Sequence, residues 1–99
     1  MQINFERSGG FAGMRLRVSV DSASLPAAAA DELSGRIGDA GFFSLPPTVS
    51  SVPSQPDRYS YRITVTEEGR SHTVVVDEEA VPRKLTPLLE WLTKAAASG

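Results

Sequence analysis

The chain has 99 residues, 40% apolar and 22% charged, with a net charge of −2. That is enough chain for one domain, and the acidic balance argues against a nucleic-acid partner, which is met by basic stripes. No apolar run approaches the roughly 20 residues of a membrane-spanning helix, and the start MQINFERSGG lacks the basic and apolar stretches of a secretory signal, so a cytoplasmic location without a membrane partner is expected.

Residues 2–6 alternate, with Ile3 and Phe5 to one side and Gln2, Asn4 and Glu6 to the other, as in a half-buried strand. Ser8-Gly9-Gly10 breaks the run, and adjacent glycines allow the positive φ that hairpin turns use. Alternation resumes from Met14 to Val20, with Met14, Leu16, Val18 and Val20 inward. The spacing predicts a β-hairpin with strands near 2–7 and 14–20 and a Gly-rich tip at 8–13. Asp21 to Ser24 is turn-like and offers helix caps. Pro26 suits a first helical turn, and Ala27 to Ala30, Leu33 and Ile37 follow at helical spacing, which predicts a helix over 25–39. Gly35 and Gly38 each weaken it by about 1 kcal/mol relative to alanine, so packing must hold it. Phe42, Phe43 and Leu45 then close the core.

Residues 44–57 hold four prolines and four serines, which excludes a helix or a central strand and predicts a long loop. Tyr59, Tyr61, Ile63 and Val65 alternate inward along a strand near 58–66. Glu67-Glu68-Gly69-Arg70 is a hairpin turn, and a partner strand returns over 71–77 with His72 as a surface or edge residue. Thr86 reads as an N-cap with Pro87 at the first helical position. Leu88, Leu89, Trp91, Leu92 and Ala95 make an amphipathic helix near 86–97.

The expected architecture is α+β: a four-stranded antiparallel sheet with two helices packed on one face, a ββαββα two-layer sandwich spanning residues 1–99 as a single domain. Sheet orders 2-1-3-4 and 1-2-4-3 both keep every neighbour antiparallel. The Gly-rich tip, the Pro-rich loop and the 77–82 connection then gather at one end.

An enzyme is hard to build from these residues. There is no cysteine, and one histidine excludes a two-His zinc site. Gly9-Gly10-Phe11-Ala12-Gly13 matches neither a dinucleotide fingerprint nor a P-loop, and Asp77-Glu78-Glu79 lacks the ligand spacing of a cation loop. No catalytic residues, no cofactor and no metal site of its own are expected. What remains is the end where an apolar tip, Phe11 and Ala12, stands beside Asp57. Such a surface suits recognition of a partner protein. Equally, Phe11 can fold back on the core while Asp57 caps the strand or pairs with Arg58, and the residues alone leave both readings open.

Three stretches carry a resemblance. They are Phe5-Glu6-Arg7-Ser8-Gly9-Gly10-Phe11-Ala12-Gly13, then Pro56-Asp57-Arg58-Tyr59-Ser60-Tyr61-Arg62-Ile63 followed by Ser71-His72-Thr73-Val74, and the closing segment from Val81-Pro82 to Leu88-Leu89. In this order they resemble the emfourin-like inhibitors of bacterial protealysin-like, thermolysin-family metalloproteases. The resemblance implies an inhibitor, monomeric when free, whose loop aspartate reaches the protease's catalytic zinc while a neighbouring apolar loop enters its substrate subsites. Gly9, Gly10, Phe11, Ala12 and Gly13 match the apolar loop. Pro56, Asp57 and Arg58 match the acidic one, with Asp57 as the zinc-facing carboxylate and Asp77 in reserve. A catalytic zinc keeps one open position that a carboxylate oxygen can take at about 2.0–2.2 Å, and displacing the activated water stops hydrolysis. The alternative is a non-inhibitory interaction domain, an adaptor or regulatory partner.

Overall fold

Apolar–polar alternation builds the sheet. The computed structural model describes residues 1–9, 15–49 and 59–98. Its elements are β1 (Gln2–Gly9), β2 (Leu16–Asp21), α1 (Ala27–Asp39), β3 (Thr48–Val49), β4 (Tyr59–Glu67), β5 (Arg70–Asp77) and α2 (Thr86–Ser98). The strand order is β2-β1-β4-β5-β3. Phe5 lies opposite Val18 and Ile63, Ile3 opposite Val20 and Val65, and Ile63 opposite Val74. One face is therefore apolar and packs with Leu33 and Ile37 of α1 and Leu88 and Leu92 of α2 in a single core. The other face is polar and laced by side-chain bonds. Ser19 Oγ donates to Asn4 Oδ1 at 2.7 Å, and the hydroxyls of Thr64 and Thr73 meet at 2.8 Å.

The expected four-stranded antiparallel sheet is corrected in one respect: a fifth strand, β3, joins from within the Pro-rich stretch and runs parallel to β5. Val75 N–H donates to Pro47 O at 2.8 Å, and Thr48 and Val49 stand opposite Val75 and Val76. Proline is admitted here because β3 is an edge strand, where one side needs no ladder donor. The four longer strands follow the first of the two expected orders. Leu16, expected in the core, is only half-buried, and Met14 lies outside the described residues.

α1 starts later than expected, whereas α2 starts at Thr86 as expected but is capped differently. Proline disfavours helical backbone in the residue before it. Leu25 is accordingly extended at ψ 152°, Pro26 is the N-cap, and α1 begins at Ala27. Asp21 caps a short 3-10 turn, Ser22–Ser24, by accepting from Ala23 N–H at 3.0 Å. Gly41, at φ 60°, turns the chain left-handed just after α1, as helix ends often require. Thr86 is not an N-cap: it is already helical, and a 3-10 turn, Arg83–Leu85, leads straight into α2. Pro87 is tolerated because first-turn N–H groups have no intrahelical acceptor. Arg36 ties the helices together, donating from Nη1 to Pro87 O at 3.0 Å and from Nη2 to Glu32 Oε1 at 2.7 Å.

His72 is also corrected. It lies opposite Val65, on the helix-covered face, and is half-buried. Its Nε2 is 2.8 Å from Leu45 O, and since a carbonyl only accepts, Nε2 bears the hydrogen. Its ring centroid is 5.6 Å from that of buried Phe42 and 6.3 Å from that of Phe43. The histidine thus pins the Phe42–Ser44 turn and the chain that runs on into β3.

Candidate functional site

Two segments of chain join the sheet at one place. Gly9 ends β1, Tyr59 begins β4, and the two are register partners. Asp77 ends β5 opposite Ser60, one position along. Segments 10–14 and 50–58 therefore share a root, with Asp77 beside it. Gly9 has φ 92°, a region that side chains other than glycine's rarely allow. Of the expected site residues, Gly9 and Asp77 are placed at this end. Gly10, Phe11, Ala12, Gly13, Pro56, Asp57 and Arg58 lie outside the described residues.

The root rests on a row of large side chains on the core-facing side. Phe5 stacks on Tyr61, with centroids 6.1 Å apart and an interplanar angle of 21°. Two residues further along β1, Arg7 sets its Cζ 4.4 Å from the centroid of Tyr59, a cation–π contact. Glu78 opens the 3-10 turn that follows β5, and its Oε1 accepts from Tyr59 N–H at 2.9 Å in a partly buried setting. Burial raises the Tyr61 pKa above its ordinary value, and the Glu78 carboxylate adds to the rise while the Arg7 cation opposes it. Tyr61 also forms one wall of an open groove with Val81, Leu89, Thr93 and Ala97.

Sequence reasoning passed over Arg7 and Glu78. Arg7 carried a signal: it continues the inward positions Ile3 and Phe5 of β1 with a cation, and a cation there needs a partner. Glu78 carried none, because its role depends on β5 ending at Asp77.

The arrangement is a fixed end of two interior strands, the point where the chain leaves β1 after Gly9 and enters β4 at Tyr59. His72 lies near the other end of β5, bonded to Leu45 rather than to this site. Among the described residues no group of three or more His, Cys, Asp or Glu could hold a metal ion. No helix among them is long and apolar enough to cross a membrane.

The model of the family described as Emfourin matches residues 5–93 of this chain. No curated protein and no solved structure matches it.

Proposed function

This chain belongs to the emfourin family, and on that premise we propose that it is a protease inhibitor directed at thermolysin- or protealysin-like zinc metalloproteases. Asp57 offers its carboxylate to the open position of the enzyme's zinc. The loop from Gly9 to Gly13, with Phe11 at its centre, fills the apolar substrate subsites. The reading takes the free chain to be a cytoplasmic monomer with no cofactor and no catalysis of its own. What supports it in the fold is the Gly9–Tyr59 register pair, from which residue 10 departs and at which residue 58 arrives, at one end of two interior strands.

The test is inhibition of a purified thermolysin-family protease acting on a peptide substrate. Asp57→Ala is expected to weaken inhibition by about tenfold or more, the scale of losing one bond to a charged group. Circular dichroism and melting should stay close to wild type. If Asp77→Ala abolishes inhibition and Asp57→Ala does not, the zinc ligand is Asp77. If neither matters and Phe11→Ala does, the inhibitor acts in the subsites alone. If none of the three matters, the chain is a non-inhibitory interaction domain.

A further inference from the structure

We propose that Glu78 is a positioning residue of the inhibitory site: its carboxylate holds the backbone of Tyr59 and so fixes the start of β4, the point at which the chain arrives from Asp57. The inference rests on the inhibitor reading above.

The geometry is specific. Ser60 and Asp77 form the last register pair between β4 and β5. Beyond it the chain leaves β5 for the 3-10 turn Glu78–Ala80. Tyr59 N–H is therefore met by a side-chain carboxylate, Glu78 Oε1 at 2.9 Å, in place of a strand carbonyl. A bond to an ionised acceptor is stronger than one between neutral groups, and partial burial shields this one from water. Arg7 holds the ring of the same residue from above, and Gly9 faces it in the register. Tyr59 is thus fixed at its N–H, its ring and its strand pairing. Of these, the N–H lies in the peptide that joins it to residue 58, so Glu78 governs the direction of the chain two residues after Asp57. A carboxylate that must meet a metal gains from such fixing, because a misplacement of about 1 Å can cost about a hundredfold in a positioned interaction.

The experiment compares Glu78→Ala, Glu78→Gln, Asp57→Ala and the double variant Asp57→Ala/Glu78→Ala. Inhibition is measured with thermolysin and with a protealysin-like enzyme. Exchange of the Tyr59 amide is followed by NMR, with melting alongside. Glu78→Ala should weaken inhibition roughly tenfold and speed Tyr59 exchange. Glu78→Gln keeps a carbonyl acceptor and should restore most of both. In the Asp57→Ala background, Glu78→Ala should add little further loss, since the group it positions is already gone.

Wild-type inhibition by Glu78→Ala, or an undiminished protection of the Tyr59 amide, overturns the proposal. So does an equal loss from Glu78→Ala with and without the Asp57 carboxylate, which marks a purely structural strand cap. Full inhibition by Asp57→Ala refutes the zinc-ligand reading and the positioning role with it. Loss in Asp57→Ala with none in Glu78→Ala refutes the positioning role alone.

Discussion

Alanine at position 72 removes two kinds of contact at once. The Nε2–H bond to Leu45 O, at 2.8 Å, is lost, and a typical bond of this kind contributes about 0.5–1.5 kcal/mol net. The edge-on packing against Phe42, with centroids 5.6 Å apart, goes with it. Such ring pairs contribute about 0.5–1.5 kcal/mol beyond area. Together His72→Ala should cost about 1–3 kcal/mol, and each kcal/mol lowers Tm by about 4–8 °C in a domain of this size. Two further variants separate the contributions. His72→Phe keeps a ring without a donor, and His72→Gln keeps an N–H donor without a ring, so each should recover part of the loss. The assay is thermal and urea unfolding, joined by hydrogen exchange at Val75, whose N–H bonds to Pro47 O just beyond Leu45. Faster Val75 exchange in His72→Ala is expected, because the chain entering β3 hangs on the pinned carbonyl. A loss under about 0.5 kcal/mol, the range of ordinary surface substitutions, with unchanged Val75 exchange would refute the pinning role.

Three further outcomes are expected. Leu92 is fully buried between α2 and the sheet, so Leu92→Ala should cost about 2–5 kcal/mol, and an unchanged melting temperature would show that its face of α2 carries no core. Glu68 holds a left-handed backbone at φ 47° beside Gly69 at φ 81°. Both central residues of the turn thus have positive φ, as Asn-Gly turns prefer, so Glu68→Asn should stabilise by about 0.5–1 kcal/mol; a variant that melts no higher would contradict this. In a Tyr59→Phe background, ultraviolet titration should place the Tyr61 phenol above its ordinary pKa of 10.0, chiefly because of burial. The unfolded phenol ionises first, so this stabilisation is complete below pH 10 and is lost as pH rises through the folded value; a midpoint at or below 10 would contradict the burial.

The long strands could be read from the sequence because period-two alternation survives in them without tertiary help. Ile3 and Phe5, or Ile63 and Val65, declare their face by themselves. β3 could not, since two β-branched residues among prolines carry no period and become a strand only because β5 offers an edge. The start of α1 and the cap of α2 were misread by similar chemistry. Pro26 and Pro87 mark a first turn in general, but which residue caps it depends on the preceding 3-10 turns. His72 looked like an exposed ladder residue because Ser71 and Thr73 flank it, and only the register opposite Val65 turns it inward. At the candidate site, the pairing of Gly9 with Tyr59 followed from counting strand directions. The Glu78 bond to Tyr59 did not, because nothing in the order of residues says where β5 stops.

The shortness of β3 has a consequence for how copies of this chain meet. A sheet edge is a template on which another molecule's strand can grow. Among the described residues, the β5 side of that template is covered by Thr48 and Val49, preceded by Pro46 and Pro47. A foreign strand docking on β3 and running back along the chain would soon meet prolines that have no N–H to give. The opposite edge, β2, presents exposed Arg17 and Asp21, charges that a docking strand would have to accommodate. Brevity on one side and charge on the other are two of the devices that discourage a second strand from adding to a sheet.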